Sequence, residues 1–260
     1  MERNLVVIPY IGESQGCEIE LAVAGWRQHF KDPYLIVIIG EADEHVKNII
    51  GGDELTVQCE DVLFLPCSRV EPIDGQYMPH IDMVNKFNLL RNFFPQSEGF
   101  IYTCDDIYAT QDFTMEDILK PKHPEIGPYF EPYDWHGKHH GWWEDRGKTA
   151  ELCVKEGLPV RDWVCHLPVY YDWNKLIAIY DKYDCYHNSY IVENIYFGKE
   201  FGDQPSIPAI SLRDDVRTSN ASELHIPIGS RMWVTNGTCG WSEKLENLLK
   251  EHYNMTSHEL

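Results

Sequence analysis

The sequence opens with two short, almost wholly apolar runs that are separated by a segment of helical periodicity. The runs are residues 5–10 and 34–39. Between them, four large apolar residues recur at the three- and four-residue spacing of one helix face: Ile19, Val23, Trp26 and Phe30. Short apolar runs without alternating polar residues are typical of strands that are covered on both faces. A strand, a helix and a second strand of this kind predict a parallel sheet in an α/β fold.

The remaining sequence adds further helices and strands. Helical periodicity recurs in four segments: residues 83–94, 148–156, 173–183 and 243–252. Extended structure is predicted in four others: residues 55–65, 99–104, 163–171 and 232–235. Residues 189–197 have mixed character, and residues 201–230, with several prolines and polar residues, are predicted to be a loop. Ser242 is positioned to cap the last helix.

The charge of the chain is strongly negative, with 22 Lys and Arg against 42 Asp and Glu and a formal net charge of −20. Proteins that bind nucleic acid neutralise phosphates with Lys and Arg, so bulk binding to nucleic acid is not expected. The only dense basic stretch, residues 136–140, is short and is followed by Glu144 and Asp145. Most of the carboxylates are expected to serve solubility, although a few could hold a divalent cation.

No segment has the signature of export or membrane insertion. The longest apolar runs are far shorter than the ~20 residues of a membrane helix. Residues 1–4 lead directly into the first strand without a signal peptide. The eight cysteines form no C-x-x-C pair, which argues against a zinc ribbon or a thioredoxin-type site. We therefore expect no membrane span, a cytoplasmic location and reduced thiols.

The strongest local signal is the pair Asp105-Asp106 at the end of an apolar strand. Ligands of open α/β sheets bind beyond the carboxyl ends of the strands. Two adjacent carboxylates repel each other unless a positive charge lies beside them, and Mg²⁺ or Mn²⁺ commonly supplies it. A plain turn or a helix N-cap is the alternative interpretation of the same pair.

Two cationic or basic side chains are candidates for the same site. His166 follows the apolar residues 163–165 and could ligate the metal or donate to a phosphate; alternatively, it hydrogen-bonds a nearby loop. Lys86, on the helix before the Asp-Asp strand, could face the phosphates of a donor or could be a solvated surface residue. Arg213, Arg217 and Arg231 are weaker phosphate candidates.

Residues 135–143 mix cations, hydrogen-bond donors and flat aromatic faces. Trp135, His139 and Trp142 would suit an acceptor with a sugar ring or a base; alternatively, the tract is an irregular loop with its Trp side chains in the core. Glu193 lies inside an apolar segment, where a carboxylate is costly unless it is paired or functional. Glu193 is therefore the candidate general base, and His166 is the other candidate catalytic residue.

Signature motifs of several common enzyme classes are missing from the sequence. There is no G-x-x-x-x-G-K-[ST] and no G-x-G-x-x-G, which argues against a P-loop and against the dinucleotide fingerprint. There is also no G-x-S-x-G and no H-E-x-x-H.

Residues 100–108, Phe-Ile-Tyr-Thr-Cys-Asp-Asp-Ile-Tyr, resemble the Asp-Asp segment of nucleotide-sugar glycosyltransferases with the glycosyltransferase-A fold. More narrowly, they resemble Stealth-type capsule sugar-phosphate transferases and their relatives. Three further segments match in order: residues 149–159 with His166-Leu-Pro and 173–176, residues 233–236, and the last helix with 257–260. The likeness covers roughly residues 80–260. The family's late Asn-Asp is Asn236-Gly237 here, and its opening Y-T-W-V-D-G is replaced by residues 8–12, which favours plain glycosyl transfer.

The resemblance implies an α/β, glycosyltransferase-A-like single domain with a mixed, mostly parallel sheet flanked by helices. Residues 1–110 would form the nucleotide-sugar-binding half and residues 111–260 the acceptor half. It implies that Asp105 and Asp106 bind Mn²⁺ or Mg²⁺ bridging the donor diphosphate, with His166 at the metal or phosphate. It also implies that three residues after the first two strands hold the nucleoside: Pro9, Tyr10 and Glu41.

We therefore predict a metal-dependent glycosyltransferase that moves a sugar from a nucleotide-sugar donor to a hydroxyl acceptor. The acceptor would be a glycan, a lipid-linked sugar or a modified base. Neutralising the charge of the diphosphate as the glycosidic bond breaks makes it a good leaving group. The alternatives are a sugar-1-phosphate transferase of the Stealth type, a non-catalytic nucleotide-sugar-binding protein and a metal-dependent phosphohydrolase.

Overall fold

The computed structural model describes residues 3–12, 14–51, 61–71, 78–124, 142–202, 204–216 and 228–255. The strands of this part are β1 (Asn4–Tyr10), β2 (Tyr34–Gly40), β3 (Val62–Pro66), β4 (Gly99–Tyr102), β5 (Ile107–Ala109), β6 (Lys122–His123), β7 (Val169–Asp172), β8 (Ile207–Pro208), β9 (Arg213–Asp215) and β10 (Trp233–Thr235). The helices are α1 (Glu18–His29), α2 (Glu44–Ile50), α3 (Pro79–Phe93), α4 (Met115–Leu119), α5 (Trp142–Glu156), α6 (Trp173–Tyr183), α7 (Val192–Glu200), α8 (Gly237–Gly240) and α9 (Glu243–His252).

The central sheet has the strand order β3-β2-β1-β4-β7. Its first four strands are parallel, and β7 runs antiparallel to β4. The register of β1 and β2 runs from Asn4 opposite Tyr34 to Tyr10 opposite Gly40, so their carboxyl ends lie side by side. The predicted α/β class, with a mixed, mostly parallel sheet flanked by helices, is confirmed.

Alternate residues of β1 face opposite sides of the sheet, and helices cover both sides. Val6 and Ile8 pack with apolar side chains of α1 and α2. Leu5 and Val7 pack on the other side with α3, α6 and α7. Residues 5–8 and Tyr10 are buried, so both faces of the strand are covered over most of its length, which explains the continuous apolar run in the sequence.

A smaller sheet, with the order β5-β10-β9, joins the central sheet to the last helix. Trp233 of β10 lies 4.4 Å from Phe113 between ring centroids and is buried beside Trp26 of α1. On its other side this sheet packs with α1 and α9 through Leu21, Val234 and Leu249, among others. The C-terminal helix is thereby fixed against the first helix of the chain.

Several boundaries differ from the sequence prediction. α5 begins at Trp142 rather than at residue 148, because its first six residues combine two Trp side chains with charged residues and Gly and have no regular apolar stripe. Residues 189–197 contain most of the helix α7, whose apolar residues point in several directions because they are buried on most sides. Extended pairing within residues 163–171 is limited to the part in β7. The predicted loop at residues 201–230 contains β8 and β9. Within the described residues β9 pairs with β10 alone, at the edge of its sheet, where polar side chains are tolerated.

The described part of the chain contains no helix that is both long and apolar enough to cross a membrane. Its cysteines Cys17, Cys67, Cys104, Cys153, Cys165 and Cys185 have free thiols.

Ser242 caps α9 as the sequence predicts, since its hydroxyl oxygen accepts a hydrogen bond of 3.2 Å from the backbone N–H of Leu245. Ser242→Ala should therefore lower the free energy of unfolding by about 1 kcal/mol, or the unfolding temperature by about 3 °C. Differential scanning calorimetry measures this change. Ser242→Asp, which keeps an acceptor at the cap, should retain wild-type stability; an equal loss in both variants would contradict the capping role.

Candidate functional site

The Asp-Asp pair lies at the edge of the central sheet where the strand order reverses. The chain runs outward from β1 to β2 and β3, and then returns to place β4 on the other side of β1. Asp105 and Asp106 form the turn between β4 and β5, so they join the central sheet to the smaller one. Ligands of open α/β sheets bind at such a point, beyond the carboxyl ends of the strands.

A cavity of about 510 Å³ opens at this edge. Its volume is within the range of ordinary small-molecule sites. Both halves of the chain line it. Glu18, Asp105, Asp106 and Asn236 form a polar wall, and Pro9 and Glu193 also line the cavity. The lining also has an aromatic part, which includes Phe87, Tyr102, Tyr171 and Tyr180.

The carboxylates of this wall disfavour one another's ionisation. Burial, followed by the charges of Asp106 and Glu18, raises the pKa of Asp105 to about 7. Burial also raises the pKa of Asp106, although the nearby positive charges of His166 and Arg213 act in the opposite direction. Burial raises the pKa of Glu18 as well. A cation bound at this wall would offset both the cost of burying these carboxylates and their mutual repulsion.

Glu18 is held in place by a short chain of hydrogen bonds. The backbone N–H of Gln15 donates to one carboxylate oxygen at 2.6 Å, and the side-chain amide of Asn236 donates to the other at 2.8 Å. The amide oxygen of Asn236 in turn accepts from the hydroxyl of Tyr108 at 2.6 Å. Sequence reasoning missed Glu18, because an acidic residue in the first turn of a helix is ordinarily a solvated charge.

The chemistry of this wall fits a hard divalent cation. Carboxylate oxygens are the preferred ligands of Mg²⁺, which is commonly held by one or two carboxylates together with substrate phosphates. Within the described ranges, no three His, Cys, Asp or Glu side chains are arranged as a ready metal site. Asp105 and Asp106 would therefore supply part of a ligand set, and a bound phosphate would have to supply more.

His166 is not part of the cavity wall, but it acts on the wall by its charge. Its side chain is exposed, its backbone has a positive φ of 45°, and it does not line the cavity. Its charge nevertheless lowers the pKa of Asp106. The structure thus brings His166 within electrostatic reach of the Asp-Asp turn.

Of the three residues expected to hold a nucleoside, only Pro9 lines the cavity. Tyr10 is buried, and its hydroxyl donates to Asp43 at 2.5 Å at the N-terminus of α2. Glu41 forms an ion pair with Arg69, with 3.4 Å between Nε and Oε1. Tyr10 and Glu41 are therefore paired with other protein groups. Tyr10 contacts the N-cap of α2, and Glu41 contacts Arg69, which follows β3.

Lys86 and Glu193 both line the cavity. Lys86 is not a solvated surface residue: it is 1% exposed, and its ammonium group is paired with the buried carboxylate of Asp82 one turn earlier on α3. Glu193, in the first turn of α7, is half-buried, and its charge contributes to raising the pKa values of Tyr102, Tyr171 and Tyr180. Lys86 thus has its charge matched within the protein.

Of the aromatic tract, Trp135 and His139 lie outside the described residues. Trp142 begins α5 and lines the cavity while keeping 37% of its surface exposed. The guanidinium of Arg146, one turn later, lies 5.2 Å from the centroid of the Trp142 ring. A partly exposed aromatic face at the cavity wall is compatible with the predicted acceptor contact.

One residue of the cavity lining, together with its buried partner, was not anticipated from the sequence. His80 lines the cavity, and its Nδ1 lies 2.7 Å from Oδ2 of Asp145. Asp145 is buried, and the hydroxyl of Ser189 donates to the same oxygen at 2.5 Å. The three residues are far apart in the sequence, so no local spacing indicates the contact.

No model of a known protein family matches this chain, and no curated protein is significantly similar to it.

Proposed function

We propose that the protein is a metal-dependent glycosyltransferase with a glycosyltransferase-A-like domain. The observation that carries the proposal is the cluster of Glu18, Asp105 and Asp106 on one wall of a cavity at the carboxyl edge of a mostly parallel sheet. The donor would be a nucleotide sugar, and the acceptor would be a hydroxyl of a glycan, a lipid-linked sugar or a modified base.

The mutual repulsion of the carboxylates in the cluster supports a cation and a phosphate as its occupants. Carboxylates that raise one another's pKa lose this penalty when a divalent cation binds between them. A cation that is held by two carboxylates retains positions for the oxygens of a diphosphate. His166 and Arg213, both phosphate candidates from the sequence, each act by their charge on Asp106, so basic groups lie within electrostatic reach of this turn.

Each part of the chain would have a separate task in the reaction. Asp105 and Asp106 would hold the Mn²⁺ or Mg²⁺, which supplies charge neutralisation to the leaving diphosphate. Glu18, fixed by Asn236 and the backbone of Gln15, would keep this end of the cavity negative. The aromatic part of the cavity lining would exclude water and offer apolar faces to a sugar ring. A cytoplasmic location, predicted from the sequence, would give access to nucleotide sugars.

The proposal is tested by thermal unfolding of the protein with a panel of nucleotide sugars, with and without Mn²⁺. At least one donor should raise the unfolding temperature only when Mn²⁺ is present, because a ligand stabilises the state that binds it. Asp106→Ala should remove this response. Asp112→Ala is the matched control and should keep the response, because Asp112 is an exposed carboxylate that does not line the cavity. No metal-dependent stabilisation by any donor would refute the proposal.

Product analysis separates glycosyl transfer from the other functions that the sequence leaves open. Transfer of the sugar alone releases a nucleoside diphosphate, whereas transfer of a sugar phosphate releases a nucleoside monophosphate. A phosphohydrolase would cleave the donor without an acceptor, and a binding protein would be stabilised without turnover. We expect release of the diphosphate, with acceptor present.

A further inference from the structure

We infer that His80, held by Asp145, is the catalytic general base that takes the proton from the acceptor hydroxyl. The inference rests on the proposed glycosyl transfer and adds a residue to it. The two side chains come from different helices: His80 from the first turn of α3, and Asp145 from the first turn of α5. Their contact of 2.7 Å places a fixed imidazole on the wall of the cavity.

The hydrogen bond to Asp145 determines which nitrogen of the imidazole can act. A carboxylate accepts, so Nδ1 carries the proton of the neutral ring, and Nε2 has the free electron pair. Carboxylate-oriented histidines of this kind serve as general bases in unrelated enzymes, because the carboxylate fixes the tautomer and stabilises the imidazolium that forms. His80 retains 16% of its side-chain surface, and it lines the cavity, so a substrate can reach the ring.

Asp145 is itself held too firmly to be an incidental partner. It is 2% exposed, and the hydroxyl of Ser189 donates to the same carboxylate oxygen that contacts His80. Its own backbone carbonyl accepts from the hydroxyl of Thr149 at 2.6 Å, and Thr149 in turn accepts from the backbone N–H of Ile191 at 2.9 Å. The base is thus oriented by a second layer of contacts that joins α5 to the segment before α7.

Glu193 is the competing candidate in the same cavity. In the described structure its carboxylate is oriented by no hydrogen bond or ion pair, and its charge acts mainly on the phenols and the thiol around it. A base has to be directed at the proton that it removes, so geometry favours the imidazole with a fixed partner over the carboxylate without one.

The step is a single displacement. The acceptor O–H bond breaks and its proton goes to Nε2 of His80, while the acceptor oxygen forms a bond to the anomeric carbon. The bond from that carbon to the diphosphate breaks, and its electron pair leaves with the nucleoside diphosphate. Because attack and departure occur on opposite faces of the carbon, this step predicts inversion at the anomeric centre.

The test uses the full chain, Mn²⁺ and a panel of nucleotide sugars with methyl glycosides as acceptors, and measures release of nucleoside diphosphate against pH. His80→Gln should lower kcat for transfer by 10²–10⁴-fold, the usual range for a general base, with the donor KM changed less than threefold. With Mn²⁺ at saturation, the wild-type rate should fall more steeply toward acidic pH than the rate of His80→Gln, because the variant has no imidazole to protonate. Addition of imidazole should raise the transfer rate of His80→Ala at least tenfold.

Two comparisons keep this inference separate from the proposed function. Wild-type protein that shows neither metal-dependent donor binding nor transfer would overturn both. Wild-type transfer that persists within threefold in His80→Gln, or that falls in Glu193→Gln but not in His80→Gln, would overturn the role of His80 alone. The metal-dependent thermal response should be unchanged in His80→Gln and His80→Ala, which shows that a loss of rate does not come from unfolding.

Discussion

Replacing Asp105 by Asn should stabilise the metal-free protein and at the same time abolish its response to Mn²⁺. Burial and the neighbouring carboxylates raise the pKa of Asp105 from 3.8 to about 7. By linkage, such a shift corresponds to about 4 kcal/mol at neutral pH. The side chain is only half-buried, and water reduces the effect, so we expect a gain of about 2 kcal/mol, or about 5 °C in unfolding temperature.

The pH dependence of this gain has a definite sign. Since the pKa of Asp105 is higher in the folded state than in the unfolded state, the group favours folding when it is protonated. Its contribution is fully present below the unfolded pKa near 3.8 and is lost as the pH rises through about 7. The difference in stability between Asp105→Asn and wild type should therefore be small at pH 4, grow up to about pH 7 and then remain constant.

Chemical denaturation at a series of pH values measures this difference, and Asp112→Asn provides the matched control. Asp112 is an exposed carboxylate whose pKa is lowered by hydrogen bonds from Lys31 and His29, so neutralising it should give no gain in stability. A stability of Asp105→Asn that equals wild type at pH 8 would show that the carboxylates of the cavity do not strain the metal-free protein.

The parts of the fold that the sequence predicts best are those in which burial is complete or strictly one-sided. α6 and α9 occupy the predicted residues because each has a regular apolar stripe over a polar face. β1 and β2 match because both faces of each strand are covered, which leaves an unbroken apolar run. β9 is missed because Arg213–Asp215 owes its extended form to pairing with β10 rather than to its own side chains.

The site is predictable only where its residues adjoin a recognisable element. Asp105 and Asp106 follow an apolar strand, and Glu193 interrupts an apolar segment, so each is visible locally. The contact of His80 with Asp145 joins residues that are 65 positions apart, and nothing in either neighbourhood indicates it. The nucleoside contacts predicted for Tyr10 and Glu41 remain predictions; in the structure these side chains contact Asp43 and Arg69, which no local sequence pattern indicates.

Replacing Lys86 by Met should destabilise the protein strongly, by about 3–5 kcal/mol, because it removes the ammonium group that pairs with the buried carboxylate of Asp82. The two side chains are 1% and 2% exposed. Asp82 also accepts a hydrogen bond of 2.9 Å from the backbone N–H of Val70. The double variant Asp82→Asn, Lys86→Met keeps an acceptor for Val70 and has no charge at either position of the pair, so it should regain most of the lost stability.

Denaturant unfolding of the single and double variants gives the interaction between Lys86 and Asp82 as a double-mutant cycle. Lys148→Met is the matched control: Lys148 pairs with Glu144 at the same four-residue spacing, 2.6 Å apart, but both are exposed, so the change should stay below about 1 kcal/mol. The double variant also decides between two roles for Lys86. If it folds and still shows the Mn²⁺-dependent response to a nucleotide sugar, Lys86 is a structural cation of α3. If it folds without that response, the ammonium group contacts the donor phosphates, as the sequence predicts.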